Sequence, residues 1–161
     1  MKLRKKWILG GAAVVAAGML LINPRLTNPP VEPGHDLLAT NPPPAEIAGL
    51  LRGACYDCHS FETQWPWYSH VAPVSWWLVE HVKDGRKRLN FSNWPHENSK
   101  IAVRWLDRIS ESVGSGEMPF PNYDRMHPAA RLTQAQRDQL VHWAEQESER
   151  IGSKNDEKEK E

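Results

Sequence analysis

Two cysteines three positions apart, with a histidine directly after the second, constrain this chain more than any other feature: Cys55-Tyr56-Asp57-Cys58-His59. Cys-x-x-Cys-His is the attachment signature of c-type haem. On one helical turn each thiol can add to a haem vinyl group, and the following imidazole then lies under the iron as its proximal ligand. No other cysteine competes, because these are the only two in the sequence. The rival readings are a structural disulfide, a zinc site and a thioredoxin-like redox pair. Zinc requires four ligands, and no second Cys-x-x-Cys or paired Cys/His cluster completes the set. A redox pair belongs beside a βαβ pattern, which is not visible here. The motif therefore predicts haem c, bonded covalently through Cys55 and Cys58, with His59 as an iron ligand.

Around that motif, 161 residues allow one domain with accessories. Lys+Arg and Asp+Glu balance at 20 each, but four of the cations (Lys2, Arg4, Lys5, Lys6) fall in the first six residues, leaving the remainder mildly acidic. No basic stripe crosses the domain, so a nucleic-acid partner is excluded as a reading. Eight tryptophans are more than a small domain readily buries against itself, and a large apolar cofactor would explain some of them.

The basic start is followed by an uncharged apolar run from Trp7 to Ile22. This pattern is a cleaved signal peptide or an uncleaved anchor. At 1.5 Å per residue the run spans about 24 Å, short of the ~30 Å hydrocarbon core. Ala16 and Gly18 resemble a cleavage site, yet Met19-Leu20-Leu21-Ile22 keeps the run apolar beyond it, which favours the anchor. Either way the basic flank stays in the cytoplasm. The expected location is the bacterial inner membrane, with the haem domain in the periplasm. Seven prolines between Asn23 and Pro44 then forbid helix and favour an extended spacer; whether Asp36–Thr40 touches the domain stays open. The expected organisation is a signal or anchor over 1–22, a linker over 23–44, a haem domain over 45–150 and a charged, disordered tail over 151–161.

Within the domain, Ile47, Leu50, Leu51 and Ala54 form one apolar stripe, predicting a helix over Ala45–Ala54 that delivers the two thiols. The loop from Ser60 to Pro73, with Trp65-Pro66-Trp67-Tyr68, is expected to wall the ring. The next helix opens at Pro73 or Ser75, places Val74, Trp77, Leu78, His81 and Val82 on one face, and closes at Gly85 as a C-cap. Lys83, Arg86, Lys87 and Arg88 at its end read as a solvated basic turn, or as partners for haem propionates or an acidic redox protein. A helix over Asn98–Val113 carries Ile101, Ala102, Trp105, Ile109 and Val113 on one stripe, with Gly114 after it. Thr133 caps a last helix to about Arg150, Gln136 completing part of a capping box, and Trp143 suits a contact with the helix before the haem motif.

Between the last two helices, Gly116-Glu117-Met118-Pro119-Phe120-Pro121 presents a methionine after a glycine turn, held extended by prolines. A thioether so placed is a natural sixth iron ligand that favours the ferrous state; a gap-filling core methionine is the plainer reading. His81, Met126 and His127 are weaker distal candidates. His59 is expected to fix its tautomer by donating its other ring proton to a backbone carbonyl; similarity to class I cytochromes c, where a proline about a dozen residues on accepts it, implies Pro73, with Pro66 second.

Taken together, CYDCHS, TQWPWYS, APVSWW, HVKDGRKRLNFSNW and GEMPFPNYDRMHPAARLT, in that order from Cys55 to Thr133, resemble the bacterial haem-binding domain family. The resemblance covers roughly Asn41 to Ala144. It implies a monohaem c-type protein, often membrane-anchored, with Cys55 and Cys58 as attachments, His59 as proximal and Met118 as distal ligand. Phe61 departs from the asparagine that members often carry there, without touching the ligands. The expected fold is an all-α, class I cytochrome c-like domain. The expected role is an electron carrier serving a redox partner protein or a membrane redox complex. A haem-based peroxidase or small-ligand sensor with an open distal site is the alternative, although no distal acid–base constellation is evident.

Overall fold

The computed structural model describes residues 2–21 and 24–158, and every regular element among them is helical. Seven α-helices follow in order: α1 (Lys2–Leu21), α2 (Leu37–Thr40), α3 (Ala45–Ala54), α4 (Tyr56–His59), α5 (Val74–Arg88), α6 (Ser99–Gly114) and α7 (Gln134–Lys158). Short 3-10 turns at Trp67–His70, Phe91–Asn93, Tyr123–Arg125 and Pro128–Ala130 connect them.

The four N-terminal cations lie within α1 itself, which shortens its apolar part. No helix among the described residues is long and apolar enough to cross a membrane. Ile22 and Asn23, where the anchor was expected to give way to the linker, lie outside the described residues. The proline-rich segment does more than space. Asp36 caps α2 by accepting from the Leu38 N–H at 2.8 Å, and Leu37 is fully buried in the core. Further along, Trp94 N–H bonds the His35 carbonyl at 2.9 Å.

The main scaffold is the antiparallel pair α6–α7. Ala102, Leu106, Ile109 and Val113 bury the inner stripe of α6, and Leu140, Trp143 and Ala144 answer from α7. Leu106, absent from the expected stripe, has no exposed surface. Ser148 donates to Asp107 at 2.6 Å along the seam. Asn98 caps α6 by accepting from Ile101 N–H. At the start of α7 the capping box is complete rather than partial: Gln136 N–H donates to Thr133 Oγ1 at 3.2 Å, and Thr133 N–H to Gln136 Oε1 at 2.9 Å.

Two helix ends differ from expectation. α7 continues past Arg150 to Lys158, because Ile151 packs on the core and Asn155 accepts from Ser99 at 2.8 Å; residues 159–161 lie outside the description. α5 runs through Gly85 to Arg88 instead of stopping there. Its buried face is Ser75, Leu78, Val79 and Val82, while Val74 and Trp77 are exposed. Helix periodicity alone could not choose between two neighbouring faces that are both apolar.

Candidate haem site

The site is assembled where α3 ends. At Cys55 the backbone leaves helical geometry (φ −126°) and re-enters it as α4, so Cys55-Tyr56-Asp57-Cys58-His59 forms one turn set at an angle to α3. The two residues between the thiols fix that turn. Tyr56 stacks on Phe91 with ring centroids 5.0 Å apart and planes 7° from parallel, and its hydroxyl donates to the buried Asp36 carboxylate at 3.0 Å. Asp57 faces the other way. Its carboxylate accepts from Gln64 N–H at 3.0 Å and Tyr123 hydroxyl at 3.2 Å, and its carbonyl accepts from Thr63 at 2.6 Å.

α5 crosses directly behind this turn. A Cβ on Gly85 would stand 2.7 Å from the Cys58 carbonyl oxygen and 3.5 Å from His59 Cε1, a distance real side chains do not tolerate. Gly85 is therefore a close-approach glycine inside the helix, not its cap. The approach brings the last carbonyls of α5 against His59. The His59 Nδ1–H donates to Gly85 O and Leu89 O, each at 3.1 Å, which leaves Nε2 unprotonated and able to bind iron. The Pro73 carbonyl expected for this role instead accepts from Trp76 N–H in the first turn of α5, and that of Pro66 from Ser69. Burial holds the His59 pKa below the ordinary imidazole value, outweighing its two carbonyl bonds, and so keeps the ring neutral.

His59 looks onto a two-lobed hollow of about 250 Å³ and 440 Å³. Ala54, His59, Arg88, Glu117 and Met118 line both lobes, which makes them one space. Cys55 opens on the first lobe, among Leu89, Phe91, Ile109 and Val113; Cys58 opens on the second, among Pro119, Phe120, Pro121 and Tyr123. Both cysteines are free thiols. Burial pushes Cys55 up to about 12 and Cys58 to about 11, so neither is the thiolate that disulfide exchange requires.

Met118 arrives from a loop that leaves α6 through Gly116, whose φ of +78° is a left-handed turn. Its backbone is pinned at both ends: Met118 N–H donates to Ser112 O at 2.9 Å, and Arg137 Nη1 donates to Met118 O at 2.6 Å. Of the other distal candidates only His81 reaches the hollow, on the second lobe, its ring tilted 37° against Trp77 with centroids 3.9 Å apart. Met126 is exposed. His127 is turned to the far side of Cys58, stacked on Tyr123 and hydrogen-bonded through Nε2 to the Tyr68 hydroxyl.

Several expectations change here. No tryptophan lines either lobe. Trp94 and Trp143 sit in the core beneath, and Trp67 and Trp77 are exposed. Pro66 and Tyr68 pack beside Asp57 instead of lining the hollow, where Asp57 holds the chain just ahead of them by accepting from the Gln64 N–H and the Thr63 hydroxyl. Of the basic cluster only Arg88 lines the hollow, joined by Arg108, which the sequence pattern did not single out. Arg86 is spent on structure, donating to Ser60 O, Asn28 and Thr63. Lys83 and Lys87 pair with Glu80 and Asp84 at the surface. Leu89 and Phe91 were also missed; their alternation in LNF was the available signal.

The donor set fits haem: a neutral imidazole with a free nitrogen, a thioether, one thiol per lobe, apolar walls and two guanidinium groups at one hollow. The sequence model of the haem-binding domain family matches residues 14–146. Comparison with curated proteins and with solved structures finds no match. With a match running from within α1 into α7, this chain belongs to the haem-binding domain family, and haem with its iron is the cofactor that family membership implies.

Proposed function

We propose that the protein is a monohaem c-type cytochrome-like electron carrier of the bacterial envelope. In this reading each sulfur of Cys55 and Cys58 adds, with its proton, across one vinyl group of the porphyrin to form a thioether. The observation that carries it is the division of the hollow: one thiol opens on each lobe, while His59 and Met118 line both. A ring lying across both lobes would meet a thiol on each side and an axial donor from each wall. Bound there, the iron supplies one-electron chemistry.

The chain's own residues set the terms of that chemistry. His59 is held by two carbonyls as the proximal donor. Met118 would hold the iron from the opposite side through its thioether, a soft donor that would favour the reduced metal. Arg88 and Arg108 are placed to receive carboxylate groups of the ring. The packing of α5 on the motif turn, and of α7 on α3, the helix that ends at the motif, supports a class I cytochrome c-like arrangement. The basic, apolar α1 supports an export signal or a tether at the inner membrane, with the domain in the periplasm. A redox protein or membrane complex is the partner such a carrier would serve.

Expression alongside the haem-attachment machinery tests this. Intact mass should rise by one haem that survives acid–acetone extraction, and the oxidised spectrum should show the weak near-infrared methionine–iron band, lost in Met118→Ala. Extractable haem would overturn covalent attachment. A high-spin, carbon-monoxide-binding iron in the parent would point to a peroxidase or sensor instead.

A further inference from the structure

The Met118 loop is tied to the body of the protein by one long side chain from another helix. Arg137, in the first turns of α7, reaches across to the end of α6 and the loop together. Its Nη1 donates to Met118 O at 2.6 Å and to Val113 O at 3.3 Å. Val113 is the buried last stripe residue of α6, so the guanidinium bridges a rigid helix end and the residue that presents the thioether. Among the described residues, the other hydrogen bond on the Met118 backbone is its N–H to Ser112 O, from the same helix end. Beyond Met118 the loop follows the rim of the second lobe, with Phe120 part-exposed against Trp77 and His81 and Asn122 in the left-handed region at φ +67°. Among the described residues, the hydrogen bond on Pro119, Phe120 and Pro121 is the Tyr123 N–H to Phe120 O turn within the loop itself.

We propose that Arg137 is a positioning residue for the distal iron ligand: it holds the Met118 carbonyl so that the thioether stays over the metal, and its fixed charge beside that carbonyl favours the reduced iron. This rests on Met118 being the distal ligand. Two effects then travel together. Loss of the two-pronged bond frees the loop and lets exogenous bases compete for the sixth position. Loss of the cation removes a positive charge beside the Met118 carbonyl, which would lower the reduction potential of an iron held by Met118. Both bonds come from one nitrogen, Nη1; a lysine keeps the charge on a side chain one bond shorter, so its ammonium meets the two carbonyls less well.

The experiment uses holo-protein and four chains: parent, Met118→Ala, Arg137→Met and Arg137→Lys. It reads the near-infrared band, the potential and the affinity for imidazole. The parent should show the band and Met118→Ala should not. Arg137→Met should bind imidazole about tenfold or more tightly, weaken the band and lower the potential, with haem content unchanged. Arg137→Lys should recover most of the potential and less of the imidazole resistance. If the band is present in the parent, absent in Met118→Ala and unaltered in both Arg137 variants, with equal imidazole affinity, the positioning role is wrong while the ligand stands. If the parent lacks the band, or Met118→Ala keeps it, the ligand assignment falls and the role of Arg137 with it. Should Arg137→Met fail to accumulate, the lysine variant alone decides, since unchanged imidazole affinity there overturns the bridge.

Discussion

The two walls of the hollow are built on different principles. The His59 wall is made by close approach: α4 and α5 touch backbone to backbone at Gly85, the imidazole shares its proton between two carbonyls, and Asp57 draws in two further segments. The Met118 wall is a loop suspended from a helix end by one backbone bond and one arginine, and beyond Met118 it rests on side-chain contacts alone, Phe120 against Trp77 and His81 and the Tyr123 hydroxyl on Asp57. A packed wall sets geometry through what cannot move. A suspended one sets it through a few bonds that can be lost singly. The surroundings of His59 should therefore tolerate little change, and the placement of Met118 should be adjustable.

The largest expected effect lies at Gly85. Gly85→Ala puts a methyl group 2.7 Å from the Cys58 carbonyl and should cost about 1–3 kcal/mol in urea unfolding, with a fall in haem incorporation; a variant of parental stability would mean that α5 can retreat and the wall is not packed. Next, Asp57→Ala strips acceptors from Gln64 and Tyr123. It should cost about 1–2 kcal/mol and disorder the loop after His59, which amide exchange would register at Gln64. On the suspended wall, Gly116→Ala forces a side chain into a left-handed turn and should cost about 1 kcal/mol, while loosening the methionine–iron band more than Asp57→Ala does. Were Gly116→Ala more damaging to stability than Gly85→Ala, the contrast between the walls would be reversed.

The smallest effect is a pH dependence. Burial holds the His127 pKa below its ordinary value of 6.5, against a weaker opposing pull from Asp57. A base depressed in the folded state binds fewer protons than in the unfolded chain, so its contribution is present above 6.5 and is lost as pH falls through the folded value. His127 Nε2 is hydrogen-bonded to the Tyr68 hydroxyl, and protonation would make the ring the donor in that contact while leaving its charge partly buried. Stability should decline modestly as pH drops below the mid-sixes, and His127→Gln should flatten that slope.

What could be read from the sequence was what local chemistry determines. Ala45–Ala54 appears with the expected bounds because an apolar stripe follows a proline run and ends at the motif. The helix over Ser99–Gly114 follows from its stripe and the Asn98 cap. Met118 lines the hollow with the thiols and His59 because the glycine turn and prolines leave that segment few alternatives. Other features depend on which surfaces meet, and no window of sequence contains that. Gly85 carried the signature of a helix stop, yet its role is to admit another backbone. The His59 acceptors lie 26 and 30 residues away at a helix end. Leu37 was masked by surrounding prolines, although it is core. The tryptophans pointed toward the cofactor by composition, whereas a large ring is equally useful under a helix pair, as Trp143 shows.

The buried sulfurs carry a lesson about timing. In the folded chain Cys55 and Cys58 are neutral thiols with pKa values near 12 and 11, tucked beneath a turn bolted through Tyr56 and Asp57. A porphyrin entering the hollow would meet both sulfurs at its wall, each in its less nucleophilic, protonated form. If the thioethers form as proposed, joining the sulfurs while the polypeptide is still open would be the easier order, with the bolts closing afterwards.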